Sequence, residues 1–330
     1  MNEKGLQVLE QYDLTILRSF GGRGSMMLET EQGLKMLKEF AGSVNRLSLE
    51  QELLKRLEQE KVCQTDRVVQ NKEGGYVSLG EYETTWILKN WPLGKECDTK
   101  NEEHLLQSMR ILGKIHQTLR GIPEEHKEMA EKIRGMDRRA ELEKHNRELK
   151  RVQNFMRAKR KKCGFELLYL KCAEEIMNQG RQVQEELDTS EYEALLTKAR
   201  SEEHFCHGEY VHHNILIQRQ DTAVVNFQRF EVNVQVNDIC LFLRKIMEKQ
   251  NWNGVLAGRM LEAYEQERAL TGEELKYLAV CLSYPEKAWK LIHQYYHSNK
   301  AWIPEKHTEK LEVFLSQEER RKKMIKNLFF

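Results

Sequence analysis

Proline is scarce in this chain, with four in 330 residues, and no glycine- or serine-rich tract is present. A flexible linker between separately tethered domains is therefore not expected; the length suits one large bilobal domain or two average ones. Seven cysteines are scattered without a single C-x-x-C pair, which excludes a disulfide framework and a zinc ribbon. The pattern reads as reduced thiols in a protein made in the cytosol. Charge of either sign is not in excess, the formal net value being +1, so nothing global points to nucleic acid or a membrane surface. Long apolar runs are missing too: none approaches the roughly 18–20 residues needed to cross a bilayer. The first residues, MNEK, lack the basic and apolar regions of a signal peptide. A soluble intracellular protein is expected.

What is present is a hydrophobic fraction of 40% beside 32% charged residues, enough for a core under a heavily solvated surface. Residues 1–91 read as short strands with one helix. Strands are expected around residues 14–17, 26–29, 34–38, 76–79 and 84–88, with glycines at 33, 74, 75 and 80 marking turns. Leu49, Leu53, Leu54 and Leu57 have the spacing of an amphipathic helix over 48–60. Ser48 with Gln51 gives it a capping-box start. From residue 102 the pattern turns helical, beginning with the stripe Leu105, Leu106, Met109, Leu112, Gly113 and His116. The segment at about 122–162 is so charged that an exposed helical excursion is expected, with Leu142, Leu149, Val152 and Phe155 as a narrow apolar seam. Its basic run at 157–162, RAKRKK, reads as a solvated face. A core-like helix is expected from Phe165 to Ile176. The last third is helical and aromatic (Trp252, Tyr264, Tyr277, Tyr284, Trp289, Tyr295, Tyr296, Trp302). Trp289, Ile292 and Tyr296 lie at core spacing.

Chemistry concentrates at residues 205–217, FCHGEYVHHNILI. This is the layout of a phosphotransferase catalytic loop, in which a carboxylate accepts the substrate hydroxyl proton and a following asparagine turns back to magnesium. His207, Gly208 and Asn214 keep the frame. Glu209 stands where an aspartate is expected and moves the carboxylate outward by about 1 Å, a displacement able to cost about 100-fold in a positioned reaction. The next strand ends in Asn226, an amide where the principal metal carboxylate belongs; magnesium usually takes one or two carboxylates with phosphate oxygens. Asp238 is expected to cap a helix. Residues 20–25, FGGRGS, offer Gly22 and Gly24 as a phosphate-covering turn. Lys38 is then the nucleotide-phosphate lysine, held by Glu50 or Glu52. The nucleotide-site set is thus Lys38, Glu50, Asn214, Asn226, Gly22 and Gly24, with Asn214 and Asn226 as the magnesium ligands. His204, Cys206, His207, His212 and His213 do not converge on a tetrahedral zinc site; no zinc is expected.

The chain resembles the CotS-type spore coat proteins of endospore-forming bacteria, themselves similar to aminoglycoside and choline phosphotransferases. The marks are GLKMLK at 33–38, KNWPLGKE at 89–96, LGKIH at 112–116, ELKRVQNF at 148–155, the altered catalytic loop, and the tail segments LSYPEKAWK at 282–290 and SNKAWIP at 298–304. The resemblance implies an α+β, protein kinase-like bilobal fold. Its small antiparallel-sheet lobe would cover residues 1–91, and a helical lobe of aminoglycoside phosphotransferase type residues 92–330. It also implies synthesis in the sporulating mother cell, deposition in the spore coat, and other coat proteins as partners. ATP and Mg²⁺ are the implied cofactors of its enzymatic relatives. With Glu209 and Asn226 both altered, the expectation is a coat component with little or no catalysis. The alternatives are an active small-molecule phosphotransferase with Glu209 as base, and a nucleotide-binding regulatory module.

Overall fold

The computed structural model describes residues 7–22, 24–219, 221–298 and 305–330. Residues 1–4, Arg23, Trp302 and most of the segment 298–304, which figured in the sequence reading, lie outside them.

The chain divides into two compact units, each built from three segments. The first comprises residues 1–134, 202–232 and 263–268, and the second residues 135–201, 233–262 and 269–330. The expected boundary after residue 91 falls inside the first unit.

A short 3-10 turn, Gln7–Gln11, opens the first unit. Strands β1 (Ile16–Gly21), β2 (Met26–Thr30) and β3 (Gly33–Glu39) follow as an antiparallel meander, then helix α1 (Val44–Gln59). After them come β4 (Gln64–Thr65), β5 (Ser78–Leu79), β6 (Thr85–Asn90), β7 (Lys95–Glu96) and helix α2 (Glu102–Thr118). The main sheet has the order β1-β2-β3-β6-β5. Alternation along its strands sorts side chains to two faces. Leu28, Leu37, Trp86 and Leu88 pack on one face against Val8 and Leu9 of the opening turn and Tyr12 just after it. Ile87 packs with Leu47 of α1 and Val68 on the other. All six residues of the predicted α2 stripe are buried.

α1 starts earlier than predicted. Its N-cap is Ser43, whose side chain accepts from the Arg46 amide at 3.4 Å. The Ser48–Gln51 box does not form, because Gln51 is buried and its Oε1 accepts the Val68 amide at 2.7 Å.

Helices α3 (Lys127–Lys132), α4 (Arg138–Ala158), α5 (Gly164–Asp188) and α6 (Tyr192–Ser201) occupy the middle of the chain. α4 corrects the expectation of an exposed excursion. Leu142, Leu149, Val152 and Met156 are fully buried, and the last three share a core with Phe165 and Tyr169 of α5. The seam closes on Met156, whereas Phe155 is 46% exposed. The high charge belongs to the opposite side of the same helix, and a stripe of few apolar residues suffices to bury one face.

Strands β8 (Phe205–Cys206), β9 (Ile215–Gln218), β10 (Asp221–Val224) and β11 (Glu231–Val232) return to the first unit. β9 and β10 form a hairpin in a sheet of order β4-β10-β9-β7, and β11 pairs with β8. Helices α7 (Val236–Met247), α8 (Gly254–Glu265), α9 (Gly272–Ser283), α10 (Glu286–Tyr296) and α11 (Glu305–Phe329) complete the chain. Asp238 lies within the first turn of α7 and is buried; the N-cap position is Gln235. Ile292 is buried, with Trp289 and Tyr296 packed against the same core at partial exposure.

Candidate functional site

Every residue of the predicted phosphotransferase site lies in the first unit. The loop between β8 and β9 is held by its own backbone. Gly208 sits at φ +76°, and a Cβ there would meet the Arg229 carbonyl oxygen at 2.1 Å, so only glycine fits. The Glu209 amide donates to His207 Nδ1 at 3.1 Å, which leaves Nε2 as the protonated nitrogen facing the Val225 carbonyl at 3.1 Å. His207 is fully buried; it ties the loop to the end of β10.

Asn214 and Asn226 do come together. Asn214 Nδ2 donates to the Glu209 carbonyl at 2.9 Å, and Asn226 Nδ2 donates to Asn214 Oδ1 at 2.9 Å. Asn226 adopts the left-handed backbone, φ +66° and ψ +48°, a conformation that asparagine tolerates better than most residues. Its amide N–H donates to Asp66 Oδ2 at 3.1 Å. Sequence reasoning missed Asp66, which follows β4 and is fully buried.

The ion pair expected between Lys38 and Glu50 is replaced by another. Lys89 on β6 donates to Glu50 at 3.1 Å and to Asp66 Oδ2 at 2.9 Å, all three side chains being buried. Lys38 instead donates to Gln228 Oε1 at 3.1 Å and is half-buried. The register explains the competition. Lys38 pairs with Ile87 and Met36 with Lys89, so both lysines project from the sheet face that carries α1. Lys89 reaches the two carboxylates. No sequence periodicity distinguishes the two lysines; the signal would have been a lysine two residues along from the apolar Ile87.

The electrostatics follow from this. Burial opposes the Lys89 charge, but Asp66 and Glu50 outweigh it and raise the pKa of the amine. Burial pushes the Glu50 carboxyl up, with Asp66 repelling it and Lys89 pulling it back. Burial and the neighbouring Lys89 lower the Lys38 amine, against the pull of Asp66, Glu50 and Glu209. Glu209 is more open, 3.4 Å from Arg229 Nε.

Two neutral amides thus stand where a magnesium site needs charge, and one of their oxygens already accepts a hydrogen bond. The nearby carboxylate of Asp66 is engaged through Oδ2 by the Asn226 amide and by Lys89, which it shares with Glu50. This donor set does not fit a hard dication, which takes oxygen ligands that include carboxylates.

Gly22 and Gly24 lie in the β1–β2 turn, where the Gly22 amide donates to the Ser25 carbonyl at 2.9 Å. A cavity of about 410 Å³ opens beside it, lined by Ser19, Met26, Leu37, Glu39 and Trp86 among others. Leu37 and Glu39 flank Lys38 on β3, so this hollow belongs to the sheet face opposite Lys38. The histidines of the loop have separate partners: His204 faces Glu202 at 2.8 Å, and His213 faces Glu96.

The sequence profile described as "Phosphotransferase enzyme family" matches residues 28–275. Spore coat protein S of Bacillus subtilis (strain 168) is 24% identical over 312 residues, covering 93% of this chain and 87% of that protein. Among solved structures, an aminoglycoside phosphotransferase from Alicyclobacillus acidocaldarius superposes with a TM-score of 0.86 at 18% identity, covering 98% of this chain and 94% of the other. A spectinomycin phosphotransferase, solved with ADP and spectinomycin, gives 0.67 at 11% identity over 96% of each chain. An amicoumacin kinase, solved in complex with AMP-PNP, Ca²⁺ and Ami, gives 0.57 at 13% identity over 98% of this chain and 94% of the other. The antiparallel-sheet and helical architecture is that of the protein kinase-like phosphotransferases.

Proposed function

The chain belongs to the phosphotransferase enzyme family, and within it we propose a member with little or no catalysis that serves as a structural or assembly component of the spore coat. The observation that carries the reading is the contact between Asn226 and Asn214. It spends on a neutral amide the oxygen that a metal would need. Glu209, one methylene longer than the usual aspartate, adds a second departure within the same loop. The similarity to spore coat protein S, which runs along 93% of the chain, supports the coat assignment. Synthesis in the mother cell and contact with other coat proteins are part of the same proposal.

A second reading has its own support: a nucleotide-binding module that works without metal. Lys38 is half-buried, makes its hydrogen bond to a neutral amide, and carries no direct carboxylate partner among the described residues. Such an amine suits a phosphate group.

Thermal-shift measurements with ATP, with and without Mg²⁺, test both, alongside ATP turnover with small hydroxyl and amine acceptors. The expected result is no turnover and no Mg²⁺-dependent shift. A shift independent of metal favours the binding module, and robust Mg²⁺-dependent ATP consumption sinks the scaffold. In the double variant Glu209→Asp, Asn226→Asp, a Mg²⁺-dependent shift is expected to appear, because the missing carboxylate is restored beside Asn214.

A further inference from the structure

In the second unit, three donors on one helix face converge on a single carboxylate. Glu148 projects from α4 and is 7% exposed. Trp289, His293 and His297 follow one another at four-residue intervals along α10 and its C-cap, so they share a face. Trp289 Nε1 donates to Glu148 Oε2 at 2.8 Å. His297 Nε2 lies 2.8 Å from Glu148 Oε1, and His293 Nδ1 lies 3.0 Å from the same oxygen. The ligand atoms of Glu148, His293 and His297 all fall within 4.8 Å of one another.

We propose that Glu148, His293 and His297 bind a divalent transition cation of the zinc class. Four features support this. The first is ligand chemistry: two imidazoles and one carboxylate suit zinc, cobalt, nickel or copper, whereas magnesium and calcium prefer all-oxygen shells. The second is distance. Tetrahedral zinc with bonds of about 2.0–2.2 Å separates its ligands by about 3.3 Å, so the present 2.8 and 3.0 Å contacts need only a few tenths of an ångström of opening. The third is orientation. The indole N–H donates to Oε2 and fixes the carboxylate so that Oε1 meets both imidazoles, with His293 Nδ1 also 3.0 Å from Oε2, the role of an outer partner that orients a metal ligand. The fourth is charge. Among the described residues the ion-pair partners of the largely buried Glu148 are these two histidines, which are charged only when protonated. A cation between them neutralises it outright. The imidazoles are 44% and 55% exposed, so the ion has an entry path and water can complete its coordination. This inference is independent of the proposed coat role, and it concerns residues that the phosphotransferase motif does not include.

The test uses the metal-free full chain, titrated with Zn²⁺ by calorimetry and with Co²⁺ by its visible absorption. One ion per chain is expected, with the intense visible bands of low-coordinate Co²⁺. His293→Ala and His297→Ala are each expected to weaken binding at least tenfold, and both variants should stay folded by far-ultraviolet circular dichroism because the removed rings are half-exposed. Cys163→Ser, which removes an exposed thiol, is expected to leave binding unchanged. Absence of uptake overturns the proposal. So does uptake that survives in the double histidine variant or disappears in Cys163→Ser.

Discussion

Two lysines on the same face of the main sheet have opposite surroundings. Lys89 is 2% exposed and shared between Glu50 and Asp66; Lys38 donates to the side-chain amide of Gln228 and has no direct carboxylate partner among the described residues. Removing one member of a buried ionic group leaves the others uncompensated, at about 3–5 kcal/mol. Lys89→Met is therefore expected to destabilise the chain by that amount in urea unfolding. Lys38→Met, at a half-buried site without an ion pair, should change stability by less than about 1 kcal/mol. An equal loss in both variants would show that Lys38 takes part in the buried group. The same pair of variants separates structure from ligand binding, since any phosphate-dependent shift should vanish with Lys38.

At the scale of elements, α4 shows how a charged helix can still be structural. Leu149 is fully buried against α5 residues, whereas Phe155 is about half-exposed. A leucine truncated in a close-packed core costs about 2–5 kcal/mol, so Leu149→Ala is expected to fall in that range. Phe155→Ala should cost under about 1 kcal/mol, although phenylalanine is the larger residue. Parallel chemical denaturation of the two variants checks the order. A reversal would return α4 to the exposed excursion that its composition suggests. The seam was legible in the sequence, but the overall charge concealed how deeply it is buried, because burial follows which positions are apolar and not the charge of the whole helix.

Across the molecule, acid stability has an identifiable contributor in the second unit. Glu286 on α10 lies 3.3 Å from Arg138 and 3.2 Å from Lys290. Burial works against its charge, but Arg138 above all, with Lys290, brings the carboxyl down from 4.5 to about 2. A carboxylate depressed on folding stabilises fully above its unfolded pKa, and the contribution is lost as pH falls through the folded value. At about 1.4 kcal/mol per unit, the loss between pH 4.5 and pH 2 is on the order of 3 kcal/mol. Glu286→Gln is expected to be less stable at pH 7 and to show a flatter decline across that window. Unfolding free energies measured at steps from pH 6 to pH 2.5 give the slope directly, and identical slopes would remove Glu286 from the account.

The linear pattern determined the element types, the meander of β1 to β3, the α2 stripe, and the altered loop with Glu209, Asn214 and Asn226. These are local: alternation, helical spacing and a short motif each need only neighbours in the chain. Even the frame glycine was legible, since Gly208 sits in a motif whose geometry demands it. Tertiary structure alone decided which lysine meets Glu50, because that depends on strand register and on Asp66 arriving beside β6 from another part of the chain. It alone turned α4 inward, where α5 and α10 supply the apolar partners. And it alone brought Glu148 to His293 and His297, a convergence that spans two helices far apart in sequence. Spacing along one chain can announce a helix face, but only packing decides what that face meets.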